Sequence, residues 1–266
     1  MKIAVTGYNG NVGAELVTKY DVIPLECNLL DKQSVFDAIH DVDPDLVIHA
    51  GAMTSVEECE QNPSKAFEVN VRGTSNLVEC LNHKSLIYLS TNHVFSGDKF
   101  FPYAEFHTPN PINQYGFTKW IGEHVITFSL ANVIVVRSNR LFNKSLLLKA
   151  IEKDRVSQDF PTFIKRSFTF LPNFVECLMF IAEHSNNMPS LLHVSSPDTM
   201  SYYDFMCLVK RETSLFGDIE IIPRKQEIPG LPPRPFRCGF NVNLAKKYRV
   251  PIISTLDGIR RIDEDE

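Results

Sequence analysis

The stretch Gly7-Tyr8-Asn9-Gly10-Asn11-Val12-Gly13 lies between a short apolar run, Ile3 to Thr6, and an amphipathic segment, Val12 to Tyr20. A G-x-x-G-x-x-G loop between a buried strand and a helix admits few folds, because each glycine has a steric task. Gly7 permits the sharp turn, Gly10 lets a pyrophosphate approach the backbone, and Gly13 lets the helix close on the sheet. The helix N-terminus then offers free N–H groups and a partial positive charge to phosphate. Asn9, Asn11 and Val12 share the loop, so the whole run is expected to hold a dinucleotide.

The rest of the first half keeps the same rhythm. Val22 to Glu26, Asp45 to Ala50, Leu86 to Ser90 and Asn132 to Arg137 read as further strands. Ser34 to His40, a long segment opened by Asn62-Pro63 and running to about Leu81, and Ile112 to Phe128 read as helices. Continuous apolar strands alternating with helices predict a parallel sheet covered on both faces. Right-handed crossovers then give an α/β, Rossmann-type doubly wound fold. After about Ser138 the rhythm loosens, and prolines crowd the segment from Pro223 to Pro235. We expect a dinucleotide-binding domain over residues 1–140 and a smaller substrate-binding lobe over 141–266. The helix near 173–185 is expected to pack back on the main sheet.

Composition narrows the partners. The chain has 266 residues, 44% hydrophobic and 22% charged, with a net charge of -5, which is ordinary for a globular protein and excludes a disordered or collagen-like chain. A mildly acidic chain lacks the clustered cations that nucleic acid or an anionic membrane surface requires. The six cysteines form no C-x-x-C pair, and the eight histidines never fall one helical turn apart, so no metal site is expected. Free thiols and the lack of a long apolar run or signal-like N-terminus point to the cytoplasm.

The adenosine end of the site is less determined. An acid ending the second strand binds the ribose 2′-hydroxyl, whereas a base there accepts a 2′-phosphate. Glu26 is the acid in that position, with Asn28 and Leu29 following, and no Lys or Arg lies beside it. That leans toward NAD. Glu26 as a plain solvated acid is the alternative, and the choice between NAD and NADP stays open.

Tyr115-Gly116-Phe117-Thr118-Lys119 opens the last helix of the first half, and its i, i+4 spacing puts Tyr115 and Lys119 on one face. A phenol of pKa about 10 is a poor acid or base at neutral pH, and a nearby ammonium lowers that pKa. Ser90-Thr91 ends the fourth strand, at the carboxyl edge where open α/β sheets bind ligands. A hydroxyl there can share a substrate carbonyl oxygen with the phenol.

These residues carry a resemblance. The chain resembles the extended short-chain dehydrogenases/reductases, and within them the dTDP-4-dehydrorhamnose reductase family. The matching stretches are Val5 to Gly13, Pro44 to Glu57, Ala66 to Asn70, Leu89 to Gly97, Tyr115 to Lys119 and Val135 to Ser138, with weaker echoes at Arg234-Pro235 and Asn241 to Lys246. The resemblance implies that Tyr115 protonates a sugar C4 oxygen as hydride arrives from a nicotinamide. Thr91 would hold that oxygen, and Lys119 would bind the nicotinamide ribose and tune Tyr115. Ser90 and the run Ala50-Gly51-Ala52 would line the cofactor, and Asn70 would brace the site. Asn92, His93, Arg140 and Arg234 would face the nucleotide-sugar substrate, with Arg234 reaching its pyrophosphate or remaining a surface arginine. Family members often pair through helices of the main sheet, which makes a homodimer plausible.

Three departures stand out. The family usually has Asp-Tyr where Asn92-His93 stands, an Asn where His49 stands, and an aromatic residue near Asn139-Arg140. The expected activity is NAD(P)H-dependent reduction of a nucleotide-linked 4-keto-6-deoxy sugar, in nucleotide-sugar or polysaccharide biosynthesis. The alternatives are a nucleotide-sugar epimerase or dehydratase, and a dinucleotide-binding regulatory subunit without turnover.

Overall fold

Six parallel strands form the central sheet of the computed structural model, which describes residues 1–82, 84–128, 132–151 and 156–264. The first five are β1 (Ile3–Thr6), β2 (Val22–Pro24), β3 (Leu46–His49), β4 (Ser85–Thr91) and β5 (Val133–Ser138). Four short strands follow outside the sheet: β6 (Arg140–Phe142), β7 (Ser157–Pro161), β8 (Lys165–Arg166) and β9 (Phe168–Phe170). The sixth sheet strand is β10 (Leu191–Val194), and the sheet order is β10-β5-β4-β3-β1-β2. This is the expected Rossmann-type doubly wound sheet. The order reverses at β1, which has β2 on one side and β3 on the other, so a crevice opens beyond the carboxyl ends of β1 and β3.

Helices cover both faces. The helices of the first half are α1 (Asn11–Lys19), α2 (Lys32–Val42), α3 (Val56–Gln61), α4 (Pro63–Phe67), α5 (Gly73–Leu81) and α6 (Gln114–Thr127). One face buries Leu16 of α1 against β1 and β3, together with Phe174, Val175, Leu178 and Ile181 of a later helix. That later helix spans Leu171–Glu183, and its apolar positions recur at the helical period. The other face buries Val35 and Ile39 of α2, Leu77 and Leu81 of α5, and Ile126 of α6. Each such side chain contributes roughly 1.5–3 kcal/mol on burial.

The segment expected as one long helix, from Pro63 to Leu81, contains a π-helical turn at Glu68–Arg72. Such a turn rotates the residues it carries relative to an α-helix. Here it carries Asn70, which is buried.

Apart from β10 and the helix Leu171–Glu183, which join the main sheet, the second half forms three small sheets among its described residues. β8 lies between β11 (Met200–Ser201) and β13 (Arg237–Cys238), β7 pairs with β12 (Glu220–Arg224), and β6 pairs with β9. Its own apolar cluster includes Phe142, Phe168, Phe170, Phe205 and Phe216. Phe168 and Phe205 stack with ring centroids 3.9 Å apart. Among the described residues, no helix is long and apolar enough to cross a membrane.

Candidate active site

The glycine loop and the loop after β3 touch through backbone. Gly7 has φ +68°, and a Cβ there would lie 2.6 Å from the Gly51 Cα. A Cβ on Gly13 would lie 2.3 Å from the Gly7 carbonyl oxygen. Only glycine satisfies both packing demands. Gly10 precedes α1 without a side-chain cap, and the first turn holds no acid. The leading N–H groups of α1 are therefore left to an anion, which fits a dinucleotide pyrophosphate.

His49, which departs from the family's usual Asn, is buried in a directional hydrogen-bond chain. Thr74 Oγ1 donates to the Asn70 carbonyl at 2.7 Å, so it accepts from His49 Nε2 at 3.0 Å. His49 Nδ1 then accepts from Thr6 Oγ1 at 2.6 Å, and Thr6 Oγ1 accepts from the Gly51 N–H at 3.2 Å. Burial draws the His49 pKa down to about 3, which keeps the ring neutral, as this chain requires. The histidine thus ties β1, the Ala50-Gly51-Ala52 loop and α5 together. Leu29 packs close to Gly51, and its carbonyl accepts from Asn76 Nδ2 at 2.8 Å. Asn28 orders the same turn by accepting from the Leu30 N–H at 3.1 Å. Glu26, Asn9 and Asn11 are exposed.

Tyr115 and Lys119 sit on α6. Asn113 caps this helix, its Oδ1 accepting from the Gly116 N–H at 2.8 Å. A Cβ on Gly116 would fall 2.1 Å from the His93 carbonyl oxygen, so glycine lets α6 press against the turn Asn92–Val94 that follows β4. That contact brings Tyr115 near Thr91, whose hydroxyl favours the phenolate form. Burial nevertheless pushes the Tyr115 pKa up to about 12. Lys119 is buried, with Nζ 4.0 Å from the centre of the Tyr88 ring. Burial draws its pKa down to about 7, against the pull of Glu123. Among the described residues, no hydrogen bond joins Lys119 to Tyr115.

Beneath these groups lies a buried ion pair. Arg137 grips Glu123 through Nε at 2.9 Å and NH2 at 2.7 Å, and Ser90 Oγ donates to the same carboxylate at 2.5 Å. Ser90 therefore supports α6 from β4 through Glu123.

Of the expected substrate-facing residues, Asn92 and His93 lie on the turn that follows β4. The His93 ring meets the Tyr115 ring edge-on at 5.5 Å. Asn92 is buried and accepts from Thr91 Oγ1 at 3.4 Å. Arg234 is ion-paired with Glu57, and the carbonyl of its neighbour Pro233 accepts from Asn113 Nδ2 at 3.0 Å. Arg140 is exposed. A residue that sequence reading passed over, Arg166, lies buried on β8 with NH1 3.1 Å from His93 Nε2. Both Arg140 and Arg234 act electrostatically on His93 and Arg166. The sequence signal was weak, because Lys165-Arg166 reads as a surface pair.

A glycine cradle at the switch point, with Thr91, Tyr115 and Lys119 on the carboxyl edge, defines the extended short-chain dehydrogenase/reductase class. Within it, the chain belongs to the family described as RmlD substrate binding domain, whose model matches residues 1–250. Its relatives include a dTDP-4-dehydrorhamnose reductase of Aggregatibacter actinomycetemcomitans, 27% identical over 84% of this chain and 82% of that one. Methionine adenosyltransferase 2 subunit beta of Danio rerio is 27% identical over 77% of this chain and 67% of its own length. In fold, the chain matches the crystal structure of dTDP-4-dehydrorhamnose reductase from Bacillus anthracis in complex with NADP, with a TM-score of 0.89 at 23% identity, covering 100% of this chain and 99% of that one.

Proposed function

We propose that the protein is an NAD(P)H-dependent reductase of a nucleotide-linked 4-keto sugar, the 4-keto-6-deoxy hexoses being the first class to test. The observation that carries this reading is that Thr91 at the end of β4, Tyr115 and buried Lys119 come together on the carboxyl edge of a sheet whose first helix has an uncapped glycine start. Bound reduced nicotinamide supplies the hydride to the carbonyl carbon. Thr91 and Tyr115 hold the carbonyl oxygen between two hydroxyls, and Tyr115 passes its proton to that oxygen as charge develops. In the cofactor-free protein burial outweighs the lowering expected from Lys119, so the proton leaves Tyr115 only as the oxyanion develops beside it. Lys119 binds the nicotinamide ribose, and its charge favours the phenolate left behind. Arg140 and Arg234 take the diphosphate at the mouth.

Incubating the protein with NADH or NADPH and a panel of nucleotide-linked 4-keto sugars tests the reading. One equivalent of cofactor oxidised per sugar reduced is the expected result. No oxidation with any of them overturns it, and turnover without net cofactor consumption favours the epimerase alternative. A second reading, a dinucleotide-binding subunit that serves a partner enzyme, draws on the likeness to methionine adenosyltransferase 2 subunit beta and on the altered Asn92-His93. Cofactor binding without turnover, and co-purification with a larger enzyme, is its signature.

A further inference from the structure

Around His93 the donors outnumber the acceptors. Arg166 NH1 stands 3.1 Å from His93 Nε2, and Asn113 Nδ2 stands 3.0 Å from His93 Nδ1. The Asn113 amide is oriented by two other bonds, since its Oδ1 accepts from the Gly116 N–H and its Nδ2 donates to the Pro233 carbonyl. Its amino group therefore faces the ring. A neutral imidazole offers one lone pair, so it accepts from Arg166 or from Asn113 but not from both. Two further donors nearby, Arg166 Nε and Asn92 Nδ2, are buried without a partner.

The charge is also unmatched. Arg166 is 5% exposed, and among the described residues no carboxylate pairs with it. The ionised side chains that act on it include Arg140 and Arg234, which have the same sign. A buried guanidinium without a counter-charge is costly, and the cost is relieved when an anion supplies both the charge and the missing acceptors.

Position says where that anion belongs. The His93 ring lies between Arg166 and Tyr115, touching Tyr115 edge-on, so the surplus donors stand one side-chain layer from the phenol. Arg234 is held by Glu57 and follows Pro233, whose carbonyl shares the Asn113 amide with His93, so it stands beside this cluster. We infer that Arg166, with His93 and Asn92, forms an oxyanion subsite for a carboxylate carried on the sugar ring itself. This rests on the nucleotide-sugar reading above and narrows the 4-keto sugar to an acidic one, which takes the place of the 6-deoxy hexoses as the expected class.

Thermal-shift titration of the full chain with free D-glucuronate and with D-glucose, at matched ionic strength, tests the subsite without relying on any nucleotide. The expected result is stabilisation by glucuronate over glucose in the parent, lost in Arg166→Met and in Arg166→Gln. Retention of the NADP-induced shift in either variant shows that it is folded. UDP is titrated alongside, and its affinity is expected to stay within twofold in the variants. No difference between glucuronate and glucose in the parent overturns the inference. So does equal weakening of UDP and glucuronate by the variants, because Arg166 then belongs to the diphosphate. If UDP and dTDP both fail to bind while the glucuronate effect is present and depends on Arg166, the subsite stands and the nucleotide-sugar reading fails instead.

Discussion

Asn70 fastens the loop after β3 to the helix that carries Tyr115. Its Nδ2 donates to Thr118 Oγ1 at 2.9 Å and to the Met53 carbonyl at 3.0 Å, and its Oδ1 accepts from the Met53 N–H at 2.7 Å. One buried amide thus satisfies three groups and sets the spacing between that loop and helix α6. Asn70→Ala strands the Met53 backbone groups, so a stability loss of about 1–3 kcal/mol is expected by denaturant titration. Turnover should fall more than cofactor affinity, because the glycine loop is untouched. A variant with native kinetics removes Asn70 from the positioning of the site.

The Glu123–Arg137 pair is bidentate and buried, with Ser90 as a third partner. Breaking it from one side leaves an uncompensated charge. Glu123→Ala is expected to cost about 3–5 kcal/mol in denaturant unfolding, and the double replacement of both residues by Met considerably less. If the double variant is as unstable as the single one, the cost lies in packing and not in the orphaned charge.

Lys119 gives a pH signature. Its folded pKa of about 7 lies below the value of about 10.4 in an unfolded chain, so the unfolded state binds more protons between these limits. The penalty on the fold is full below pH 7, shrinks as pH rises toward about 10.4, and vanishes above it. Lys119→Met should therefore raise the melting temperature of the cofactor-free protein most at pH 6–7 and hardly at all near pH 10, while abolishing turnover. A stability gain that does not depend on pH contradicts this assignment.

Acid should weaken the protein through its buried histidines. Burial keeps His49, His93 and His193 neutral, each well below the usual imidazole range. Below about pH 6.5 the unfolded chain takes up protons that the folded chain refuses, so stability falls with falling pH. Each ring contributes up to about 1.4 kcal/mol per pH unit. Unfolding midpoints at pH 7, 6 and 5 measure the slope. His49→Asn should reduce it by about one third. An unchanged slope means that His49 is not held neutral.

Much of this was legible in the sequence because local rules sufficed. The glycine run, the apolar strands and the Tyr115–Lys119 spacing each dictate their own geometry, and the structure brings Thr91 and Tyr115 together as the strand–helix order required. What was hidden depended on distant partners. β10 carries His193 inside an otherwise apolar run, and that buried ring is held by the Tyr103 carbonyl at 3.0 Å, a contact 90 residues away. The π-helical turn that aims Asn70 leaves no compositional mark. Arg166 looks like any surface arginine until β8 is placed between β11 and β13, which buries it against His93. His49 seemed a departure from the site, whereas its two ring nitrogens complete a hydrogen-bond chain within it.

The central claim is that Tyr115 delivers the proton to a substrate carbonyl while a bound nicotinamide delivers the hydride. The most direct measurement is single-turnover oxidation of reduced cofactor by a nucleotide-linked 4-keto sugar, comparing the parent with Tyr115→Phe. Removing the hydroxyl should slow the chemical step by about 10²–10⁴-fold and leave cofactor affinity nearly unchanged. Tyr115→Phe turning over at the parent rate contradicts the account.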